Sequence, residues 1–262
     1  MGVFFGIRIE TTTYKELHTM KTVLIGDIHG CIEEFKELIR ACGYKHGEDR
    51  LILLGDLVDR GPDGVAVVRY ANQLNAELVM GNHDDKVIRY RKHVYRAQGM
   101  PSYKNPMWTR ARQDFDQSIG TDIEYLRKGQ PSIRFGENWV AVHAGVLPGS
   151  PAEQQDPKLL MILRYVSPAN KPVPLTPDLG QPEKTKYWTE VHEGPDIVVY
   201  GHNVYSEPVR TPFSLGLDTG CVFGQKLTAA IFDGPVLKTS EPRFVSVPAA
   251  RAYADYAKRA NY

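Results

Sequence analysis

No stretch of the 262 residues approaches the ~20 consecutive apolar positions that a membrane-crossing helix needs. The apolar segment from Val3 to Ile9 is short, is broken by Arg8, and lacks the basic start and small-residue cleavage site of a secretory signal. Residues 1–20 carry no recognisable chemistry and are expected to form a leader or flexible arm. Cysteine is scarce. Cys31, Cys42 and Cys221 are an odd set without a CxxC, which excludes a disulfide framework and favours a reducing, cytoplasmic setting. Charge of either sign is nearly cancelled, 32 Lys and Arg against 31 Asp and Glu, so no global pull toward nucleic acid or membrane exists. No GxxxxGK[ST] loop occurs, which removes a P-loop kinase module. Nor is there an internal repeat or a domain-scale linker, and residues 21–262 read as one domain.

An apolar fraction of 42% and a charged fraction of 24% are those of an ordinary globule. The first third alternates between continuous apolar runs and amphipathic segments. Thr22 to Ile25, Arg50 to Leu54 and Glu77 to Met80 have the pattern of strands covered on both faces. Between them Ile32, Phe35, Leu38 and Ile39 recur at helical spacing, and Val65, Val68 and Leu74 do so after Pro62, a residue suited to a first helical turn. The class is therefore α/β with a β-α-β-α-β start, parallel strands and right-handed crossovers.

Downstream, 114–129 reads as helix, Ile133 to Phe135 and Trp139 to Val142 as a hairpin, and Lys158 to Val166 as helix. The five prolines of 167–182 indicate a long surface loop. Ile197 to Tyr200 is another buried strand. Short strands between Ser206 and Val247 predict a second, mainly antiparallel sheet, and the Ala-rich end from Ala249 to Ala260 a last helix.

Chemistry-bearing residues cluster where these strands run out, at the edge where open α/β sheets place ligands. Gly26-Asp27-Ile28-His29-Gly30 follows the first run and Gly55-Asp56-Leu57-Val58-Asp59-Arg60-Gly61 the second. Gly81-Asn82-His83-Asp84 follows the third, and His143-Ala144-Gly145 and Gly201-His202 close two later strands. Asp27, His29, Asp56, Asn82, His143 and His202 supply enough nitrogen and oxygen to hold two divalent cations. Without a thiolate the set suits Mn, Fe, Co or Zn in an open site rather than a closed structural zinc. Asp56 is the natural bridge. A carboxylate shared by two ions can generate a hydroxide and clamp a phosphoryl group.

His83, beside Asn82, can face substrate and act as general acid, with Asp59 or Asp84 holding its tautomer. Arg60 can fork onto two phosphoryl oxygens. The lone Asp218-Thr219-Gly220 lacks the second carboxylate of an aspartic protease, so a tight turn or a role behind the ligands fits it better. His18, His46, His93 and His192 lie in no motif and are expected at the surface. Residues 86–113 hold eight Lys or Arg, no acid, and Tyr90, Tyr95, Tyr103 and Trp108. They read either as a solvated face or as a rim where Arg110 and Arg112 attract polyphosphate while Tyr103 or Trp108 stacks on a base.

In their order these motifs resemble the phosphoprotein-phosphatase superfamily of metallophosphoesterases. Within it the chain is most similar to the branch of ApaH-like phosphatases and symmetrical diadenosine tetraphosphatases. The narrower likeness rests on Leu163-Arg164-Tyr165-Val166, on Gly194-Pro195 before Val198-Val199-Tyr200-Gly201-His202, and on Leu217-Asp218-Thr219-Gly220-Cys221-Val222-Phe223-Gly224. It implies a calcineurin-like β-sandwich of mixed sheets flanked by helices. It places Asp27, His29 and Asp56 on one metal, and Asp56, Asn82, His143 and His202 on the other, with Mn favoured. It implies His83 as acid, Asp59 as its partner, and Arg60 and Arg164 as phosphate clamps, with Asn82 and His83 also meeting substrate.

The implied enzyme cleaves phosphoric anhydrides or phosphomonoesters by direct attack of a metal-bridging hydroxide. The implied substrate is a small nucleotide polyphosphate, diadenosine tetraphosphate cut to two ADP. A Ser/Thr phosphoprotein phosphatase is the enzyme alternative; polyphosphate or a capped RNA end is a further one. Asp59 is a protein-phosphatase habit, whereas the Ser-Ala-Pro-Asn-Tyr-type loop of those enzymes is missing after His202. A catalytically silent scaffold would have eroded ligands, and none is eroded here.

Overall fold

The structure is a computed structural model that describes residues 20–98, 104–105, 108–117, 120–173 and 184–257. The leader expected over 1–20 thus lies outside the described residues except for Met20. The opening alternation is present as expected. Strands β1 (Lys21–Ile25), β2 (Arg50–Leu53) and β3 (Glu77–Leu78) pair in parallel, and helices α1 (Ile32–Ala41) and α2 (Gly64–Gln73) cross between them. Asp63 caps α2 by accepting from the Ala66 amide at 2.8 Å, which sets its start just after Pro62. Helix α3 (Asn82–Gln98) follows β3, and α4 (Arg110–Gln113) and α5 (Gly120–Arg127) lead to the second sheet.

Two five-stranded sheets stack. In the first, β12 (Lys226–Asp233) runs antiparallel to β1 and β13 (Arg243–Pro248) antiparallel to β12, giving the order β13-β12-β1-β2-β3. The second is built from β4 (Ser132–Gly136), β5 (Trp139–Val142), β9 (Ile197–Tyr200), β10 (Val209–Thr211) and β11 (Ser214–Gly216), in the order β10-β11-β9-β5-β4.

The continuous apolar runs are explained by two-sided burial. Leu24, Ile52 and Leu54 point between the sheets onto Trp139, Ala141, Val199 and Phe232. Val23, Ile25, Leu51 and Leu53 point outward under Phe35, Leu38 and Val68 of the helices. The outer face of the second sheet, Val140, Val142, Val198 and Tyr200, is covered by Leu160, Leu163 and Trp188. Trp139 is wholly buried and its indole N–H donates to the Leu237 carbonyl at 2.9 Å, so its polar atom is satisfied inside the sandwich. All three cysteines are buried and free. Among the described residues no helix is long and apolar enough to cross a membrane.

Several expectations are corrected. The second sheet is mixed, because β11 and β5 both lie parallel to β9, and β12 and β13 extend the first sheet instead. Over 158–166 only α6 (Pro157–Leu160) is helical. Residues Tyr165–Val166 form β6, which pairs with β7 (Pro172–Val173) and β8 (Lys186–Tyr187) in a small sheet. The loop expected over 167–182 thus opens with a turn and contains the strand β7, and 174–183 lie outside the described residues. The helix expected over 114–129 is a 3-10 turn, Asp114–Gln117, then α5. The Ala-rich end is not helical over 249–255, with a 3-10 turn beginning at 256–257; Ala249, Tyr253 and Ala254 pack irregularly against the core, so alanine content misled where contacts decide.

His46 is exposed, as expected, while His93 is only half-exposed and His18 lies outside the described residues. His192 is buried rather than at the surface: its Nε2–H donates to the Asp196 carbonyl at 3.0 Å, its ring packs on Trp188, and Nδ1 is a buried atom without a partner among the described residues. Burial holds its pKa below the ordinary 6.5, the carbonyl and carboxylate of Asp196 opposing this. The neutral form is favoured in the fold, so its stabilisation is complete above 6.5 and is lost as pH falls below that value. His192→Gln should flatten the fall of melting temperature on acidification below pH 6.5. An unchanged slope in thermal melts would contradict this.

Candidate active site

The loops leaving β1, β2 and β3 meet the ends of β5 and β9 because both sheets present carboxyl ends to the same edge. The loops interlock through backbone. His29 N–H donates to the Asp56 carbonyl and Gly30 N–H to the Leu57 carbonyl, both at 2.8 Å, and Gly201 N–H reaches the His143 carbonyl at 2.9 Å. His29, Asp56, Asp59, Arg60 and His202 all have φ between 45° and 67°. Left-handed backbone at a non-glycine residue costs ~1–3 kcal/mol, and its concentration in one place marks a functional constellation. Asp84 braces the turn, accepting from the amides of Asp56 (2.8 Å), Leu57 (3.0 Å) and Gly81 (3.2 Å). Burial and the Asp56 charge raise its pKa to about 7. Gly201 is required by proximity: a Cβ there would lie 2.1 Å from Asp27 Oδ1.

Two ligand groups share one residue. Donor atoms of Asp27, His29 and Asp56 lie within 4.8 Å of one another, and so do those of Asp56, His143 and His202. His29 donates Nδ1–H to the Val58 carbonyl at 2.8 Å and His143 donates Nδ1–H to the Leu54 carbonyl at 2.7 Å. Each Nε2 is thereby aimed at Asp56, at 3.5 Å from Oδ2 and 3.4 Å from Oδ1 respectively. Asn82 Oδ1 joins from the side, 3.1 Å from His143 Nε2, and the His143 and His202 rings meet edge-on at 5.0 Å. Asp27 Oδ1 accepts the His202 amide at 2.9 Å. All six expected ligands are thus brought together.

The electrostatics fit cations. Burial, then Asp218 and Asp56, raises the Asp27 pKa well above normal. Burial alone would also raise Asp56, but His143 and His83 hold it well below. Burial opposes the charged form of His143, yet Asp56 and Asp27 push its pKa up to about 10, so it donates to the Asp56 and Asn82 oxygens as an imidazolium. On the other side Arg60 Nη1 donates to His29 Nε2 at 2.6 Å. Each half of the acidic cluster therefore draws a positive group, and a divalent ion in the same place would release that proton. His29 and His202 are both held well below their ordinary pKa, by burial first and then by Arg60 and Arg164 respectively, which suits neutral imidazole ligands.

His83 is buried beside this cluster. Its amide donates to Asp56 Oδ1 at 2.8 Å and its Nδ1–H to Asp59 Oδ2 at 2.7 Å, leaving Nε2 as the working nitrogen. Asp59, not Asp84, is its partner. Burial lowers the His83 pKa against the pull of Asp56 and Asp59. Behind Asp59 stands Arg112, which donates Nε–H to both Asp59 oxygens at 3.0 Å and pairs through Nη2 as well.

The expectation that Arg112 lies on a phosphate-attracting rim is therefore corrected: it is 4% exposed and spends its fork on Asp59. The contact spans 53 residues. Its sequence signal was an acid-free basic stretch beside motifs rich in buried carboxylate. Tyr90 is buried as well, whereas Trp108 and Tyr95 are exposed; Tyr103 and the Arg110 side chain lie outside the described residues.

Arg60 and Arg164 flank the cluster. The Arg60 guanidinium lies 5.6 Å over the Phe223 ring, and its Nε is a buried donor without a partner among the described residues. Arg164, just before β6 rather than in a helix, donates to Asn203 Oδ1 at 2.6 Å and to the His202 carbonyl at 3.3 Å. Asp218, buried near Asp27, accepts the Gly220 amide at 3.0 Å in a tight turn, and burial raises its pKa to about 6.

A sandwich edge carrying two ligand groups around one carboxylate, with a His–Asp pair beside them, is the architecture of a metal-dependent phosphoesterase. Residues 20–206 match the model of the calcineurin-like phosphoesterases, and the chain belongs to that family. The chain is similar to bis(5′-nucleosyl)-tetraphosphatase PrpE [asymmetrical] of Oceanobacillus iheyensis, 28% identical over 89% of this chain and 94% of that protein. It is also similar to bis(5′-nucleosyl)-tetraphosphatase, symmetrical, of Photorhabdus laumondii, 30% identical over 80% and 92% respectively. A crystal structure described as a candidate diadenosine tetraphosphatase superposes with a TM-score of 0.68 at 32% identity, covering 88% of this chain and 94% of the other. The protein is a phosphoesterase whose family implies divalent metal ions.

Proposed function

We propose that this phosphoesterase hydrolyses dinucleoside polyphosphates, with diadenosine tetraphosphate as the model substrate. Similarity to tetraphosphatases over most of the chain supports the substrate class. The observation that carries the chemistry is Asp56, shared by two groups of ligand atoms. Asp27, His29 and Asp56 would hold one divalent ion, and Asp56, Asn82, His143 and His202 a second, with Mn the expected metal. Such ions polarise a phosphoryl oxygen and lower the pKa of a water.

The chain's own groups do the rest. Arg60 and Arg164 approach from opposite sides and neutralise phosphoryl oxygens, the main demand of phosphoryl transfer. Asp59 accepts the His83 Nδ1–H and stabilises the doubly protonated ring, which gives its Nε2 proton to the leaving oxygen and returns to neutral imidazole. Relatives of both cleavage types align at similar identity, so the two-ADP outcome is tested on products.

Mn-loaded protein should be assayed on diadenosine tetraphosphate, a phosphopeptide, inorganic polyphosphate and a capped RNA. Turnover of the dinucleotide is expected. ADP alone supports symmetrical cleavage; ATP plus AMP keeps the substrate class and refutes that split. Activity on the phosphopeptide alone would overturn the reading.

A further inference from the structure

Two openings lead away from the ligand cluster, and they differ in chemistry. On the His202 side lies a groove of about 480 Å³ whose lining includes His202 and Arg164. The remainder is largely apolar: Leu159, Ile162, Leu163, Pro172 and Val173, with Asp156 and Lys158 as its polar groups. Ile162 is 58% exposed, a large aliphatic side chain presented to the groove rather than to the core. On the Arg60 side the opening, about 340 Å³, is lined by Arg60, Pro62, Arg251 and Tyr253. Arg251 is exposed and its guanidinium stacks 5.3 Å over the Tyr253 ring.

We propose that these openings orient the substrate: one nucleoside base lies in the apolar groove on Ile162, and the phosphate chain runs past the ligand cluster toward Arg60 and Arg251. This rests on the nucleotide-polyphosphate reading above and deepens it. The volume lies in the range of small-molecule pockets, ~300–1,000 Å³, which combine apolar walls with a few polar groups. An adenine needs apolar faces for its ring and polar partners for its edge. The groove offers both, and it begins at Arg164, which holds the adjoining phosphate. The Arg60 opening lacks the aliphatic wall, and its two guanidinium groups suit phosphate oxygens.

The test compares KM for diadenosine tetraphosphate and for inorganic tripolyphosphate, which has no base, in wild type, Ile162→Glu, Ile162→Phe and Arg251→Ala. Ile162→Glu should raise KM about tenfold for the dinucleotide and less than about twofold for tripolyphosphate. Unaltered tripolyphosphate kinetics also report that the variant is folded. Ile162→Phe, which keeps the wall apolar, should stay within about threefold of wild type on both. Arg251→Ala should raise KM for both substrates alike. Equal effects of Ile162→Glu on the two substrates, or none on either, would overturn the base-binding groove while leaving dinucleotide hydrolysis standing. A wild type that cleaves tripolyphosphate but not the dinucleotide would overturn the substrate reading itself.

Discussion

Replacing Asp56 with Asn should cut kcat/KM by about three orders of magnitude, equivalent to ~4 kcal/mol of transition-state stabilisation, without unfolding the chain. The isostere keeps an oxygen to accept the His83 amide, now received by Oδ1 at 2.8 Å. What it removes is the negative charge at the centre of both ligand groups, the charge that keeps His143 positive and faces His29 Nε2 at 3.5 Å. Both groups lose their common member at once, so metal content should fall at both positions. Substitution of Asn82 would weaken one group only. The measurement pairs activity with metal stoichiometry by mass spectrometry after gel filtration in Mn buffer. A variant retaining wild-type metal content and activity within tenfold would remove Asp56 from its proposed role.

The legibility of this site in the sequence follows from how its residues are placed. Asp27, His29, Asp56, Asn82, His143 and His202 each sit within four residues of a strand end. A strand that reads as a continuous apolar run therefore announces where its ligand will fall. The same logic recovered β1, β2, β5 and β9, all buried on both faces.

It failed where tertiary contacts override composition. The Ala-rich 249–255 segment is held irregularly by Glu34, which accepts the Ala250 amide and the Tyr253 hydroxyl. Residues 161–166 leave the helix because β6 pairs with β7 and β8. Arg112 was visible as charge but not as partner, since nothing local couples it to a carboxylate 53 residues earlier. His192 reads as a surface residue because the rings that pack against it, Trp188 and Phe213, meet it only in the folded chain.

That Arg112–Asp59–His83 line yields the second large effect. Asp59→Asn should lower kcat on a small aryl phosphate by about 10²-fold, the low end of what general acid–base catalysis contributes, because the neutral amide no longer stabilises the protonated His83 that gives its Nε2 proton to the leaving oxygen. It should also destabilise the fold, since it strips the buried Arg112 of the carboxylate that takes both its Nε and Nη2. Breaking a buried ion pair from one side costs ~3–5 kcal/mol, which in a chain of this size lowers the melting temperature by roughly 10 °C.

The two effects separate in the partner variant. Arg112→Met removes the buried cation but leaves Asp59 on His83, so stability falls while kcat suffers less than in Asp59→Asn. Combining the two replaces the pair by neutral groups, and the double variant should melt above the sum of the single losses while keeping the full kcat defect. Additive melting losses would mean that Asp59 and Arg112 are not coupled. A double variant with kcat restored toward wild type would mean that Asp59 acts only through Arg112 and not on His83.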